Sequence, residues 1–141
     1  MRFLTYKLAL AAAILTTSCA PPQQPFTLEA FRSAVCTGGV CKAWVTVIDC
    51  AAGQLPVTPD PIPVPGTNNI EWTIDTPGYL FPQNGIEINA PGFSGGHVTG
   101  NGKKYVVHDA AGPGAYKYTV RLIRESDNVR CRESDPFILN R

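Results

Sequence analysis

The cysteines carry the most specific chemistry in the sequence, which contains five of them. Four form an even set, Cys36, Cys41, Cys50 and Cys131, and an even set in an exported chain indicates disulfides. Three pairings are possible. We favour Cys36–Cys41, which closes a tight turn, with Cys50–Cys131, which links the end of the first core strand to the segment before the last. The C-x₄-C-x₈-C spacing differs from zinc motifs such as C-x₂-C, so we expect no metal here.

The N-terminus has the features of a secretory signal. The positive charges of Arg2 and Lys7 precede the apolar run Leu8 to Leu15. This run is shorter than the roughly 20 apolar residues of a membrane span, but it suits the core of a signal peptide. We therefore predict a signal peptide over residues 1–18 and export of the protein.

Cys19 is the odd cysteine, and a specific modification would account for it. The stretch 15–19 (LTTSC) resembles a bacterial lipobox, with Thr16 where leucine is usual. We predict cleavage before Cys19 and acyl chains that hold the protein to a membrane. Ala20 after the cysteine resembles the outer-membrane sorting pattern. The alternative is an ordinary soluble periplasmic or secreted protein.

The length and charge of the chain limit the possible organisation of its mature part. We predict a lipid-anchored Pro/Gln linker over 19–26 and a single disulfide-braced domain over 27–141, because about 120 residues bury one core. The 12 basic and 11 acidic residues of the whole chain nearly balance. No basic stripe supports nucleic-acid binding, so we expect no nucleic-acid partner.

Alternating apolar residues predict short β-strands throughout this domain. The clearest are 43–48 (AWVTVI), 69–75 (NIEWTID) and 116–123 (YKYTVRLI), which are rich in aromatic and β-branched residues. In each strand we place the large aromatic side chains in the core, namely Trp44, Trp72, Tyr116 and Tyr118.

Turn and helix signals separate the strands. The prolines of 55–65 exclude a central strand and predict an edge or crossing segment. Asn101-Gly102 predicts a hairpin, because both residues tolerate a positive φ. Thr27 caps a predicted short helix over 28–35. About seven or eight short strands with such turns are typical of an antiparallel sandwich.

The order of these segments resembles a known family. It begins with the strand 44–48, continues through 62–64 (IPV) and 69–74 (NIEWTI), and ends with 114–120 (GAYKYTV) and 135–140 (DPFILN). This is similar to the bacterial DP-EP family of small β-sandwiches, whose last strand carries a DP-x-I-x-N pattern. Over about residues 43–140, the resemblance implies an all-β, antiparallel Ig-like or cupredoxin-like sandwich. It implies no reaction.

Two further patterns are weak evidence for catalysis or metal binding. The stretch 92–96 (GFSGG) contains G-x-S-x-G around Ser94, but no helix follows it, so unusual backbone angles explain the glycines better. A blue-copper site needs two histidines, a cysteine and usually a methionine. The single methionine is Met1, which lies in the signal. We predict no catalytic residue, metal or cofactor.

These observations predict a non-catalytic envelope lipoprotein domain that binds a protein or surface polysaccharide through its loops. It would sit on the outer membrane and face the periplasm or the cell surface. Tyr79, Phe81 and Phe93 lie in Gly- and Pro-rich segments and are the candidate contacts. The competing hypothesis is a copper- or zinc-binding or hydrolytic periplasmic protein that uses His97 and His108.

Overall fold

A computed structural model of the chain describes residues 35–141. The predicted signal peptide, Cys19, the linker and, apart from Val35, the predicted helix lie outside these residues. The described part is all-β, with one 3₁₀ turn at Gly100–Gly102. Its thirteen strands, more numerous and shorter than expected, are β1 Cys36–Thr37, β2 Val40–Val45, β3 Val57–Thr58, β4 Ile62–Val64, β5 Asn68–Ile74, β6 Tyr79–Leu80, β7 Ile86–Glu87, β8 Phe93–Thr99, β9 Lys104–Asp109, β10 Gly114–Lys117, β11 Thr119–Val120, β12 Ile123–Arg124 and β13 Phe137–Asn140.

Six strands form the main sheet. Their order is β1-β2-β5-β9-β8, and β3 pairs with β2 beside β1. The hairpin between β8 and β9 turns at Asn101 and Gly102, whose φ values are 55° and 85°, which confirms the predicted turn. The strand 69–75 also keeps its predicted phase, because Ile70, Trp72 and Ile74 are all buried.

Two strand pairs are parallel, which corrects the expectation of a purely antiparallel arrangement. β2 runs parallel to β5, and β13 runs parallel to β4. A parallel pair needs a crossover connection, and the proline-rich segment supplies it. After β3, which still pairs with β2, the chain leaves the main sheet and adds β4 to the edge of another sheet, as the prolines predicted. It then returns to start β5 in the direction of β2.

The remaining strands form three small sheets. They are β10-β13-β4, β11-β7 and β12-β6. The single strand predicted over 116–123 is therefore divided among β10, β11 and β12, each with a different partner. Its inner face is nevertheless continuous, since Tyr118, Val120 and Leu122 are buried and Tyr116 is half-buried.

The core is centred on Trp72. Its indole lies 5.4 Å from the ring of Tyr118, and its Nε1 donates a hydrogen bond to the Tyr118 hydroxyl at 3.1 Å. Ala43 lies in register with Trp72 on the inner face of the sheet, where its small side chain leaves room for the indole. These contacts confirm the core positions predicted for Trp72 and Tyr118.

The predicted core position of Trp44 is wrong. Its side chain is 39% exposed, while Cys41, Ala43 and Val45 of the same strand are fully buried. A strand alternates its faces, so burying these three residues turns Trp44 outward. The disulfide of Cys41 and the position of Ala43 beside Trp72 decide which face of β2 points to the core, although the indole of Trp44 has the larger apolar area to bury.

Both predicted disulfides are present. Cys36 is bonded to Cys41 across the β1–β2 turn, and Cys50 is bonded to Cys131. Two disulfides indicate an oxidising location outside the cytoplasm. Among residues 35–141, no helix has the length and apolar character to cross a membrane.

Candidate functional site

The outer surface of the main sheet presents an aromatic ring to solvent. Trp44 lies in register with Thr58 on one side and Thr73 on the other, so a hydroxyl-bearing side chain flanks the indole across each neighbouring strand. Directly opposite side chains in a sheet lie close together. We call this surface the Trp44 face, which is formed by Lys42, Trp44, Thr58, Glu71, Thr73 and Lys104.

Two of the three charged side chains on the Trp44 face form an ion pair, and the third is the exposed Lys42. Lys104 Nζ lies 3.0 Å from Glu71 Oε1, and the Glu71 side chain is only 19% exposed. Next to it, Thr46 Oγ1 donates a hydrogen bond of 2.8 Å to Asp75 Oδ2. The face therefore combines an exposed indole with hydrogen-bonding groups and little net charge. Sequence reasoning missed it because both tryptophans have the apolar, strand-forming context of core residues.

A second surface lies at the loops around Tyr79. An open cavity of about 450 Å³ is lined by Pro77, Gly78, Tyr79, Arg124, Glu125 and Ser126. Tyr79, one of the predicted contacts, is half-buried in it. Its carbonyl accepts a hydrogen bond from Lys103 Nζ at 2.7 Å, and the same ammonium pairs with Glu125. These contacts hold the loop against the hairpin turn.

Arg124, which lines this cavity, forms a bidentate ion pair with Asp127. Arg124 contacts both carboxylate oxygens of Asp127, at 2.9 and 2.6 Å. The hydrogen bonds from the guanidinium lower the pKa of Asp127. The pair is exposed, so it shapes the loop more than it stabilises the fold.

Phe81 and Phe93 do not present free rings to a partner. Phe81 is 4% exposed and packs against Tyr105 at 5.8 Å, so its predicted contact role is wrong. The Phe81 N–H donates to the carbonyl of Gly102, which draws this segment under the hairpin turn. Phe93 is half-buried, with its ring edge-on to Tyr116 at 5.1 Å. These rings fill the ends of the core.

The two histidines lie on the exposed side of β8 and β9. His97 Nδ1 is 2.7 Å from the Gly95 carbonyl, and His108 Nδ1 is 3.0 Å from Asn69 Oδ1. In the part of the chain that the structure describes, no three His, Cys, Asp or Glu side chains are grouped as a metal site would require.

Ser94 lies closer to a histidine than its sequence context suggested. It pairs in register with His108, which pairs in turn with Asn69, so the three residues form one row across β8, β9 and β5. Within residues 35–141, Ser94 Oγ makes no hydrogen bond to His108. A cavity of about 130 Å³ borders the serine and is lined by Ile86, Ile88, Phe93, Ser94, Gly96 and Val107.

Backbone geometry accounts for the glycines around Ser94. Gly92 has a φ of 94°, and a Cβ atom there would lie 2.6 Å from the Cα of Ala111. Gly95 has a φ of 66° and lies in the irregular step between Ser94 and His97, where the register shifts. Glycine adopts such angles without the strain that a Cβ atom introduces. The first glycine of the G-x-S-x-G pattern is required by this close approach.

The fold and its disulfides define a small all-β domain of the extracytoplasmic, disulfide-stabilised class. No protein-family model matches the chain, and no curated protein matches it in sequence.

Proposed function

We propose that this protein is a non-catalytic binding domain of the bacterial envelope, anchored by acyl chains on Cys19, and that it binds a surface polysaccharide on the Trp44 face. The exposed indole of Trp44, which lies between two threonines in a sheet that buries Trp72 and Tyr105, is the observation that carries the proposal. At the level of fold, we propose that the sheets form an Ig-like or cupredoxin-like sandwich preceded by a short helix over 28–35. The contact of Trp72 with Tyr118 supports the sandwich, because it joins the main sheet to the β10–β11 segment.

The chemistry of the Trp44 face favours a polysaccharide over a protein partner. A sugar ring has a C–H face that packs on an indole and an edge of hydroxyls that needs hydrogen-bonding groups. Thr58 and Thr73 supply such groups on either side of Trp44. A stable protein interface buries roughly 800 Å² on each side around an apolar centre. Among the six residues that form the Trp44 face, the indole is the single large apolar side chain, and the half-buried Val106 lies at the margin of the face in register with Glu71.

We expect Trp44→Ala to weaken polysaccharide binding by about tenfold to a hundredfold, the usual effect of removing an aromatic anchor. The measurement is co-sedimentation of the purified protein with peptidoglycan sacculi and, separately, binding to immobilised lipopolysaccharide. The matched control is Phe137→Ala, which removes an exposed aromatic (45% exposed) from another sheet. Equal losses in the two variants, or no retention of the wild type on either polymer, would contradict the proposal.

The loop cavity provides a separate arm of the same experiment. Tyr79→Ala removes the aromatic wall of that cavity and leaves the Trp44 face intact. If this variant alone loses binding, the contact surface is the loops, as the sequence first suggested.

The lipid anchor has its own test. We expect Cys19→Ala to move the protein from the membrane fraction to the soluble periplasmic fraction, because the acyl chains would supply the membrane affinity. The control is a Cys36→Ala/Cys41→Ala variant, which removes one disulfide and keeps Cys19. Unchanged fractionation of Cys19→Ala would show that another feature holds the protein in the envelope.

The row of Ser94, His108 and Asn69 supports a second candidate, ester hydrolysis. Asn69 orients His108 through Nδ1, as the third member of a nucleophile–histidine site does, and a small cavity borders Ser94. Our leading proposal predicts no serine-dependent turnover of a short-chain p-nitrophenyl ester. A rate lost in Ser94→Ala and in His108→Ala, but kept in the β8 control Thr99→Ala, would assign hydrolysis instead.

A further inference from the structure

Two buried polar side chains meet where the main sheet and the C-terminal strand come together. Asp109 is the last residue of β9, and Asn140 is the last residue of β13. Asp109 is fully buried, and Asn140 is 3% exposed. They lie in different sheets, so their contact fastens the end of the chain to the main sheet.

The hydrogen bonds of this pair use only one oxygen of the carboxyl group. Asp109 Oδ1 accepts from the backbone N–H of Ala111 at 2.9 Å and from Asn140 Nδ2 at 3.0 Å. Asn140 Nδ2 also donates to the Ala111 carbonyl at 3.2 Å. Both contacts of Nδ2 require a donor, and they therefore fix the orientation of the amide.

The other two oxygens of the pair have no donor. Asp109 Oδ2 and Asn140 Oδ1 are buried and make no hydrogen bond within the described residues. A buried acceptor without a partner costs free energy, and a buried carboxylate costs more. An ionised Asp109 has only acceptors to offer, whereas the neutral acid has an O–H donor. One proton on Oδ2 would supply the donor that Asn140 Oδ1 lacks.

We propose that Asp109 is held as the neutral carboxylic acid in the folded protein at a pH at which an aspartate of the unfolded chain is already ionised, and that its Oδ2 hydroxyl donates to Asn140 Oδ1. The carboxyl and amide groups then form a two-way pair, in which Nδ2 donates to Oδ1 of the acid and the acid donates back to the amide oxygen. This acid–amide pair fastens β13 to β9 and is released when Asp109 loses its proton.

The surroundings of Asp109 favour the neutral form. The residues in register with it are Asn68 on β5 and Phe93 on β8, and those in register with Asn140 are Gly114 on β10 and Val64 on β4. None of the four carries a charge.

Two neighbours along the chain can carry a charge. His108 precedes Asp109 on β9 and points to the exposed side, and Arg141 follows Asn140 and lies against Pro63, Val64 and Pro65. Burial raises the pKa of Asp109, against the opposing effects of the hydrogen bonds from Ala111 and Asn140 and of the nearby His108.

The pair makes stability depend on pH in a defined direction. An aspartate in the unfolded chain titrates near pH 3.9. Because the folded state binds the proton more tightly, its contribution is fully present below that pH and is lost as the pH rises through the raised pKa of Asp109. Within this window the folded state binds one more proton than the unfolded state. Each unit of rise in pH therefore raises the equilibrium constant for unfolding by up to tenfold.

The test combines a direct titration with an isosteric variant. In ¹³C NMR of the full exported chain, the carboxyl carbon of Asp109 is assigned by its absence in Asp109→Asn. It should titrate at a higher pH than the value of about 3.9 for an aspartate in the unfolded chain. In urea unfolding between pH 4 and 8, the difference between wild type and Asp109→Asn should show the proton-linked loss of stability. The amide that this substitution introduces can donate to Asn140 Oδ1 as the acid does, so we expect the variant to stay folded. Because the amide does not titrate, the variant lacks the proton-linked loss of stability.

Two controls keep the result interpretable. His108→Gln removes the neighbouring titratable group, and we expect the Asp109 transition to persist in it. Asn140→Ala removes the amide partner, so it should shift the titration of Asp109. In the Asn140→Ala background, Asp109→Asn should no longer preserve stability, because the introduced amide has no partner to donate to. An Asp109 carboxyl that titrates at or below the pH of an unfolded aspartate, or identical pH profiles for wild type and Asp109→Asn, would overturn the proposal.

Discussion

Replacing Cys50 and Cys131 together by alanine is expected to lower the free energy of unfolding by about 4–5 kcal/mol, which is a large part of the stability of a domain of this size. These cysteines are 81 positions apart in sequence. Their bond therefore removes much of the conformational freedom of the unfolded chain. Both cysteines are also buried, so their removal takes packing atoms out of the core. Urea unfolding followed by tryptophan fluorescence measures the loss.

The first disulfide provides a matched comparison. Cys36 and Cys41 are only 5 positions apart, so the same chain-entropy argument gives about 2 kcal/mol for a Cys36→Ala/Cys41→Ala variant. We expect the long-range pair to cost roughly twice as much as the short-range pair. If the Cys36→Ala/Cys41→Ala variant loses more stability than the variant of the long-range pair, then local strain or packing at the β1–β2 turn, rather than loop length, decides how much each disulfide stabilises the fold.

Trp72→Ala is expected to lower the free energy of unfolding by about 3–5 kcal/mol, the usual cost of truncating a buried aromatic. The indole is fully buried in the middle of the main sheet, and it packs on Tyr118. Its removal leaves a cavity that the flanking strands can close only in part. Thermal unfolding by circular dichroism, together with urea unfolding, measures the effect. Trp44→Ala is the control, because the same residue type lies on the exposed face of the same sheet and its loss should cost much less.

The hydrogen bond of Trp72 can be tested apart from its packing. Tyr118→Phe keeps the ring and removes the hydroxyl that accepts from Trp72 Nε1 at 3.1 Å. We expect a loss of about 1–3 kcal/mol, because the buried indole N–H would then have no acceptor. Burial raises the pKa of Tyr118, so the phenol stays neutral and this contribution is the same in mildly acidic and neutral solution. If Tyr118→Phe leaves the free energy of unfolding unchanged, a water molecule takes the place of the hydroxyl as the acceptor.

Sequence patterns predicted the parts of the fold that depend on local chemistry. The Asn101-Gly102 turn followed from the backbone angles that these residues tolerate, and the inner face of β5 followed from its clean alternation. The disulfide pairing followed from loop length and position in the chain. Each of these features depends on a few neighbouring residues or on covalent connectivity, so no knowledge of packing partners was needed.

The site and its surroundings were decided by contacts between distant segments. A strand with apolar residues on both faces, such as β2, carries no signal for which face is buried. Trp44 points outward because Ala43 of the same strand lies beside Trp72 in the core and Cys41 is held inside by its disulfide. Phe81 became a core residue because the hairpin turn folds over it. The row of Ser94, His108 and Asn69 exists because β5, β9 and β8 are neighbours in the sheet.

The sequence by itself thus determined an all-β chain with two disulfides, because strand alternation, turn chemistry and covalent bonds are local or countable. The tertiary structure alone decided which tryptophan faces solvent, which strand pairs run parallel, and that Asp109 meets Asn140 away from water. These outcomes depend on the register and packing of strands that lie far apart in the chain. Burial, which sets both the exposure of Trp44 and the protonation of Asp109, is a property of the assembled sheets.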